Sequence, residues 1–267
     1  MTESRWRGLL LGTLATAIVQ SSSAITSLTV ALVDAGTMSF RSSLGVLLGA
    51  NIGTTSTAWL VSLKLASIGP FFIVLGTVLS AIPSRFKMLG KVTFYFGFIF
   101  FSLELVGLTL KALAQSPVFI EILSRSSTSL TGTLAGMLVT AIIQSSSITT
   151  GLCILLVQQS LMPATAAIPI ELGANIGTTV TALVASIKMR KTARRVAFAN
   201  FCFNTFGVLL FLPFLHRFAV TVVEMAGDPG MAVARAQLTF NIVMTLAVLL
   251  LLQIFQRRLK FLDAHLA

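Results

Sequence analysis

The sequence predicts an all-α membrane protein of two inverted-topology repeats, each a re-entrant helical hairpin plus three transmembrane helices, one of them broken. Three observations carry this expectation. Of the 267 residues, 55% are hydrophobic and 10% charged, with a mean hydropathy of +0.94, too little charge to cover a water-soluble domain of this length. Apolar stretches long enough for a bilayer, about 20 residues, recur from end to end. The chain also repeats itself at an offset of 124 residues.

In the window 12–31, 11 of 20 residues recur at that offset, among them Thr16, Gln20, Ser21, Ser22, Ser23 and Thr26. In the window 45–64, 12 of 20 recur, including all of "GANIGTT" at 49–55 and 173–179. Apolar residues coincide often in membrane proteins. Ungapped matches of Gln, Asn, Ser and Thr do not, so the duplication stands. Repeat 1 is assigned to 1–125 and repeat 2 to 126–267.

The first element of each repeat spans 8–33 and 131–157, with "QSSS" at 20–23 and 144–147. The arms 8–19 and 24–33 are each shorter than a membrane crossing. That favours two half-helices meeting at a polar tip over one continuous span. A hairpin gives three crossings per repeat and an upside-down second copy; a single span gives four and parallel copies. The N-terminus, with Arg5, Arg7 and Ala15-Thr16-Ala17, resembles a signal peptide. Its near-copy "GMLVTAII" in mid-chain assigns it instead to the mature fold. The second element, 40–63 and 164–187, is a helix interrupted by GANIGTT. Plainer apolar helices follow at 69–83 and 91–113, then at 195–217 and 233–256. Pro70, Pro83, Pro117, Pro163 and "GDPG" at 227–230 punctuate the series.

With hairpins, all 19 basic residues except Lys64, Lys111, Arg125, Arg217 and Arg235 fall on one side. The positive-inside rule then places both termini in the cytoplasm. A single-span topology gives nearly the same split. The net charge of +11 is thus read as a topology signal beside a lipid bilayer, and no nucleic-acid partner is expected. Cys153 and Cys202 lie in apolar segments and read as inert buried thiols. No P-loop, zinc spacing or nucleophile elbow occurs, so the chain is expected not to be an enzyme or an ATP-driven pump.

Unpaired hydroxyls and amides cost several kcal/mol in hydrocarbon. Single residues such as Thr13, Thr26, Ser62, Thr93 and Thr109 read as helix-to-helix glue or as hydroxyls bonded back to their own helix. Four polar groups in one turn need a break in the helix with polar surroundings. In GANIGTT, glycines flanking Asn allow the backbone to leave helical geometry, and the threonines can cap a new half-helix whose N-terminus suits an anion. Freed carbonyls with Ser, Thr and Gln oxygens suit a hard monovalent cation such as sodium. Close helix packing through Gly and Ala is the other reading of the same motif. Duplicated breaks beside duplicated polar tips are the pattern of a secondary transporter with a midplane site. Glu104 and Glu171 are the main intramembrane carboxylates. Glu171 matches Leu47 in the first copy and is either a functional group or a residue near a helix end. His216 and His265 read as peripheral.

Duplicated QSSS and GANIGTT resemble the type II sodium/phosphate cotransporter family, above all its bacterial branch. "ARRVAFANFCFNTFG" (193–207) and "ARAQLTFNIV" (234–243) resemble its paired Phe-Asn helices. The resemblance implies sodium-coupled import of inorganic phosphate by alternating access across a bacterial inner membrane, with sodium as coupling ion and no other cofactor. It implies a substrate site of Gln20, Ser21, Ser22, Ser23, Asn51, Thr54 and Thr55 with Gln144, Ser145, Ser146, Ser147, Asn175, Thr178 and Thr179. Sodium contacts are assigned to Gln144, Ser145, Ser146, Thr178 and Thr181. A homodimer is one assembly open to it. The sequence departs from the pattern in starting almost at the first hairpin and in ending without the C-terminal regulatory bundle of many bacterial relatives. The His that often precedes each Phe-Asn pair is Asn200 in one copy and Gln237 in the other. The alternative readings are a symporter for another small oxyanion, and a channel-like or sensor protein on the same scaffold.

Overall fold

The computed structural model describes residues 5–63, 68–82, 86–113, 116 and 128–266; Lys64, Pro83, Arg85, Pro117 and Arg125 lie outside them. Every regular element described is a helix. The first half runs α1 (Arg5–Val19), α2 (Ser22–Asp34), α3 (Phe40–Gly53), α4 (Thr55–Ser62), α5 (Gly69–Ala81) and α6 (Phe86–Leu113). The second runs α7 (Ser129–Ile143), α8 (Ser146–Gln158), α9 (Ala164–Gly177), α10 (Thr179–Ser186), α11 (Lys191–Phe211), α12 (Leu215–Ala226) and α13 (Pro229–Leu266). Among the described residues, five stretches are long and apolar enough to cross a membrane: Phe40–Ser62, Lys87–Thr109, Ala164–Ser186, Lys191–Ala226 and Pro229–Ile254.

Four expected helices differ in extent: the one at 91–113 begins at Phe86, and the one at 233–256 runs from Pro229 to Leu266. The helix expected at 195–217 begins at Lys191 and stops at Phe211, where Pro213 forces a 3-10 turn (Leu212–Phe214) before α12. Proline lacks the N–H that would continue the ladder. The helix at 69–83 ends as α5 after 13 residues, about 20 Å of rise against a hydrocarbon core of about 30 Å.

Both QSSS segments break their helices at the glutamine. Gln20 and Gln144 take left-handed φ values of 58° and 59°, with their N–H groups bonded to Thr16 O and Thr140 O at 2.7 Å. In the second copy the fold-back is direct: the Thr140 and Thr149 hydroxyls are 2.7 Å apart across the tip. Nine residues of unbroken helix would separate them by about 13 Å.

GANIGTT behaves differently from the expectation of a backbone leaving helical geometry. Thr54 and Thr178, the single residues between the paired helices, have helical dihedrals of −64°, −21° and −63°, −23°. Their N–H groups still reach Ala50 O and Ala174 O, and neither hydroxyl caps the next helix. The carbonyls at the shallow break are taken by side chains instead: Thr55 Oγ1 donates to Ile52 O, Ser56 Oγ to Gly53 O and Thr179 Oγ1 to Ile176 O, at 2.7–2.8 Å. The Thr54 and Thr178 N–H groups thus stay in the preceding ladder rather than opening toward an anion.

The glycines serve close packing, the other reading of the motif. A Cβ on Gly49 would lie 2.8 Å from Thr13 N, and one on Gly53 would lie 2.7 Å from Thr16 Cβ. The same contacts recur 124 residues on, at 3.0 Å between Gly173 and Met137 N and 2.8 Å between Gly177 and Thr140 Cβ. Hairpin arms α1 and α7 thus lie against α3 and α9 at backbone distance, the small-residue packing that joins helices where lipid removes the hydrophobic drive. Their outer faces carry Leu10, Leu14 and Ile18, and Leu134, Leu138 and Ile142, all exposed. The inner arms are tied across halves. Val30, Val33, Leu44 and Leu47 share one core with Ala182, Ala193, Val196 and Ala197, and Asp34 Oδ1 accepts from Arg190 N–H at 2.7 Å.

Candidate functional site at the hairpin tips

The two tips meet through Ser23. Its hydroxyl is 2.9 Å from Thr178 Oγ1 and donates to the backbone carbonyl of Gln144 at 3.3 Å. One side chain therefore joins the first QSSS, the second QSSS and the second GANIGTT. The register follows from the left-handed glutamines: each ends its outer arm in one residue and lets the next serine cap the inner arm. Ser21 does this with its side chain, accepting from Ala24 N–H at 3.2 Å. Ser145 takes the same extended conformation without a side-chain cap bond. Ser22 and Ser146 are buried, and Ser21, Ser23, Ser145 and Ser147 half-buried.

The copies are not equivalent. Gln20 is tethered: its Nε2 donates to Ser56 Oγ at 3.0 Å and to Ala17 O, and its Oε1 accepts from Thr57 Oγ1 at 2.7 Å. Gln144 is exposed and makes no side-chain hydrogen bond among the described residues. The Thr181 hydroxyl is buried with no partner, as is that of Thr16, whose counterpart Thr140 pairs with Thr149.

Other expected members face elsewhere. Asn51 Nδ2 donates to Asn204 Oδ1 on α11 at 3.1 Å, and Asn175 Nδ2 to the Glu171 carbonyl of its own helix at 3.3 Å. Thr55 and Thr179 bond back across the break to carbonyls of α3 and α9. Glu104 is exposed on α6, whereas Glu171 is fully buried at mid-helix in α9, which removes the helix-end reading for Glu171. Cys153 is buried and Cys202 half-buried, both free. Asn200 and Asn204 on α11, and Gln237, Asn241 and Thr245 on α13, form a buried polar layer not assigned from the motifs. Their i, i+4 spacing within apolar helices was its signal. No charged side chain belongs to either tip. A groove of about 400 Å³ lined by Lys191, Arg194, Arg195 and Phe198 lies away from them, at the α10–α11 junction.

Multiple apolar spans, helices broken at polar tips and buried polar side chains are those of a multi-pass helical membrane protein. The chain belongs to the Na+/Pi-cotransporter family, whose model matches residues 1–108 and 106–226. It is 32% identical to the uncharacterized protein YqeW of Bacillus subtilis over 98% of this chain and 86% of that protein. It is 29% identical to the protein of Escherichia coli K12 named "putative inorganic phosphate export protein YjbB", over 88% of this chain and 44% of that one. Human sodium-dependent phosphate transport protein 2B is 34% identical over 48% of this chain and 20% of that protein. The chain thus spans less than half the length of the latter two. No solved structure matches it.

Proposed function

We propose that the chain is a sodium-coupled transporter of inorganic phosphate that works by alternating access, with its site between the two QSSS tips. The observation that carries this reading is the Ser23 junction, where both tips and Thr178 converge within hydrogen-bond distance. The orphan Thr181 hydroxyl on the next turn supports a sodium contact there with Gln144, Ser145, Ser146 and Thr178. Phosphate contacts fall to Gln20, Ser21, Ser22, Ser23 and Ser147, with Thr54 as the counterpart of Thr178, while Asn51, Thr55, Asn175 and Thr179 bond away from the tips and hold their helices.

Phosphate carries between one and two negative charges near neutral pH, and no Arg or Lys stands in the motifs. Hydroxyl and amide donors orient the anion without neutralising it, so bound sodium has to supply the positive charge. Repeats 1–125 and 126–267 lie inverted in a bacterial inner membrane with both termini cytoplasmic. An inward sodium gradient then drives import. The export named for the Escherichia coli relatives makes direction a quantity to measure.

Labelled-phosphate uptake into proteoliposomes tests this. Uptake is expected in a sodium gradient and background counts in potassium or choline, with excess sulfate competing weakly. Equal uptake in all three salts overturns the reading.

A further inference from the structure

A second polar centre stands apart from the tips. Glu171 is fully buried, with the Thr150 hydroxyl of α8 2.9 and 2.8 Å from its two carboxylate oxygens. The Gln237 amide of α13 donates to Oε1. The single Thr150 proton and the Gln237 N–H leave carboxylate lone pairs unmet and bring no positive charge, and among the described residues no Lys, Arg or His pairs with it. A carboxylate left uncompensated at such a site costs several kcal/mol.

The facing helix carries unused ligands. Gln237, Asn241 and Thr245 are all at most 2% exposed and follow one face of α13 at i, i+4 and i+8. Gln237 Oε1, both amide atoms of Asn241 and the Thr245 hydroxyl have no hydrogen-bond partner. Neutral oxygens beside a carboxylate are the donor set that hard cations take. The position is occupied by Leu47 in the first copy, so the centre exists once per chain. The titratable group near it on a neighbouring helix is the Cys153 thiol of α8. On α11 and α12, Lys191, Arg194, Arg195, His216, Arg217 and Glu224 are exposed, and Arg235 of α13 is turned to Met225 O.

We propose that Glu171, with the free Oε1 of Gln237 beside it, forms a site for one monovalent cation, a sodium ion or a proton, separate from the hairpin tips. Binding there stands independently of the phosphate reading; only its use in coupling rests on that reading.

The test is equilibrium binding of 22Na+ to the purified full chain at pH 8, with choline as background, together with the thermal midpoint at pH 6 and pH 8. If sodium is the occupant, E171Q binds one sodium fewer per chain, or binds it at least tenfold more weakly. If a proton is the occupant, sodium binding is unchanged, but the rise in midpoint from pH 8 to pH 6 seen in the native chain is lost in E171Q. E171Q matching the native chain in both readouts overturns the proposal. Should E171Q fail to fold, Q237L keeps the carboxylate and is expected to weaken sodium binding at least threefold or to change the rise in midpoint from pH 8 to pH 6; native behaviour in both overturns the proposal equally. Neither readout involves phosphate, so a native chain that takes up none counts only against the transport reading.

Discussion

Oxidising a cysteine pair at 23 and 178 is expected to stop phosphate uptake completely, and reduction to restore it. The Ser23 and Thr178 hydroxyls are 2.9 Å apart, so cysteines there need only a small shift to reach the bond length of about 2.05 Å. With Cys153 and Cys202 replaced by Ala, no other thiol competes. The contact is one-sided: Ser147, the counterpart of Ser23, makes no equivalent bond to Thr54 or to the Gln20 carbonyl among the described residues. If inverted repeats exchange conformations during transport, that bond forms in the opposite state. A 147/54 pair is therefore expected to cross-link as well and to trap the chain open to the other side. The measurement is uptake before oxidation, after oxidation and after reduction, with labelling from each face of the vesicle. Full uptake by the oxidised 23/178 chain would show that the tips do not separate during transport.

Gly173→Ala is expected to destabilise the fold by about 3 kcal/mol or more, beyond the usual cost of overpacking. The new Cβ would press on the Thr133 carbonyl and lie 3.0 Å from Met137 N, both in the backbone of α7. No rotamer relieves a clash between backbones, so the hairpin arm must leave α9. Gly49→Ala meets Leu9 O and Thr13 N of α1 in the same way. Gly227→Ala separates clash from backbone strain: nothing lies within 4 Å of its Cβ, and at φ 72°, ψ −36° it carries only the conformational cost, about 1–3 kcal/mol. Thermal midpoints in detergent should fall further for the first two than for the third.

Much of this fold was legible in the sequence because polar residues are costly in lipid. The QSSS quartets marked where the helices break, since no continuous apolar helix accommodates four such groups, although the inner arms begin at Ser22 and Ser146, inside the quartets. GANIGTT was read less well. A glycine pair admits both broken backbone and close packing, and only the position of α1 and α7 decides for packing. The helix at 195–217 was misjudged at its end because Pro213 can kink a helix or stop it. The layer of Asn200, Asn204, Gln237, Asn241 and Thr245 was visible as i, i+4 spacing. That Gln237 meets Glu171 depends on how α13 lies against α9, which no local pattern encodes.

The central claim is that phosphate and sodium bind between the two tips. Ser23→Cys, in a chain with Cys202 replaced by Ala and Cys153 left buried, makes it measurable by the rate of labelling with a water-soluble maleimide. Sodium and phosphate together are predicted to slow that labelling at least tenfold, with phosphate in choline having little effect. An identical labelling rate with and without both ligands would contradict it.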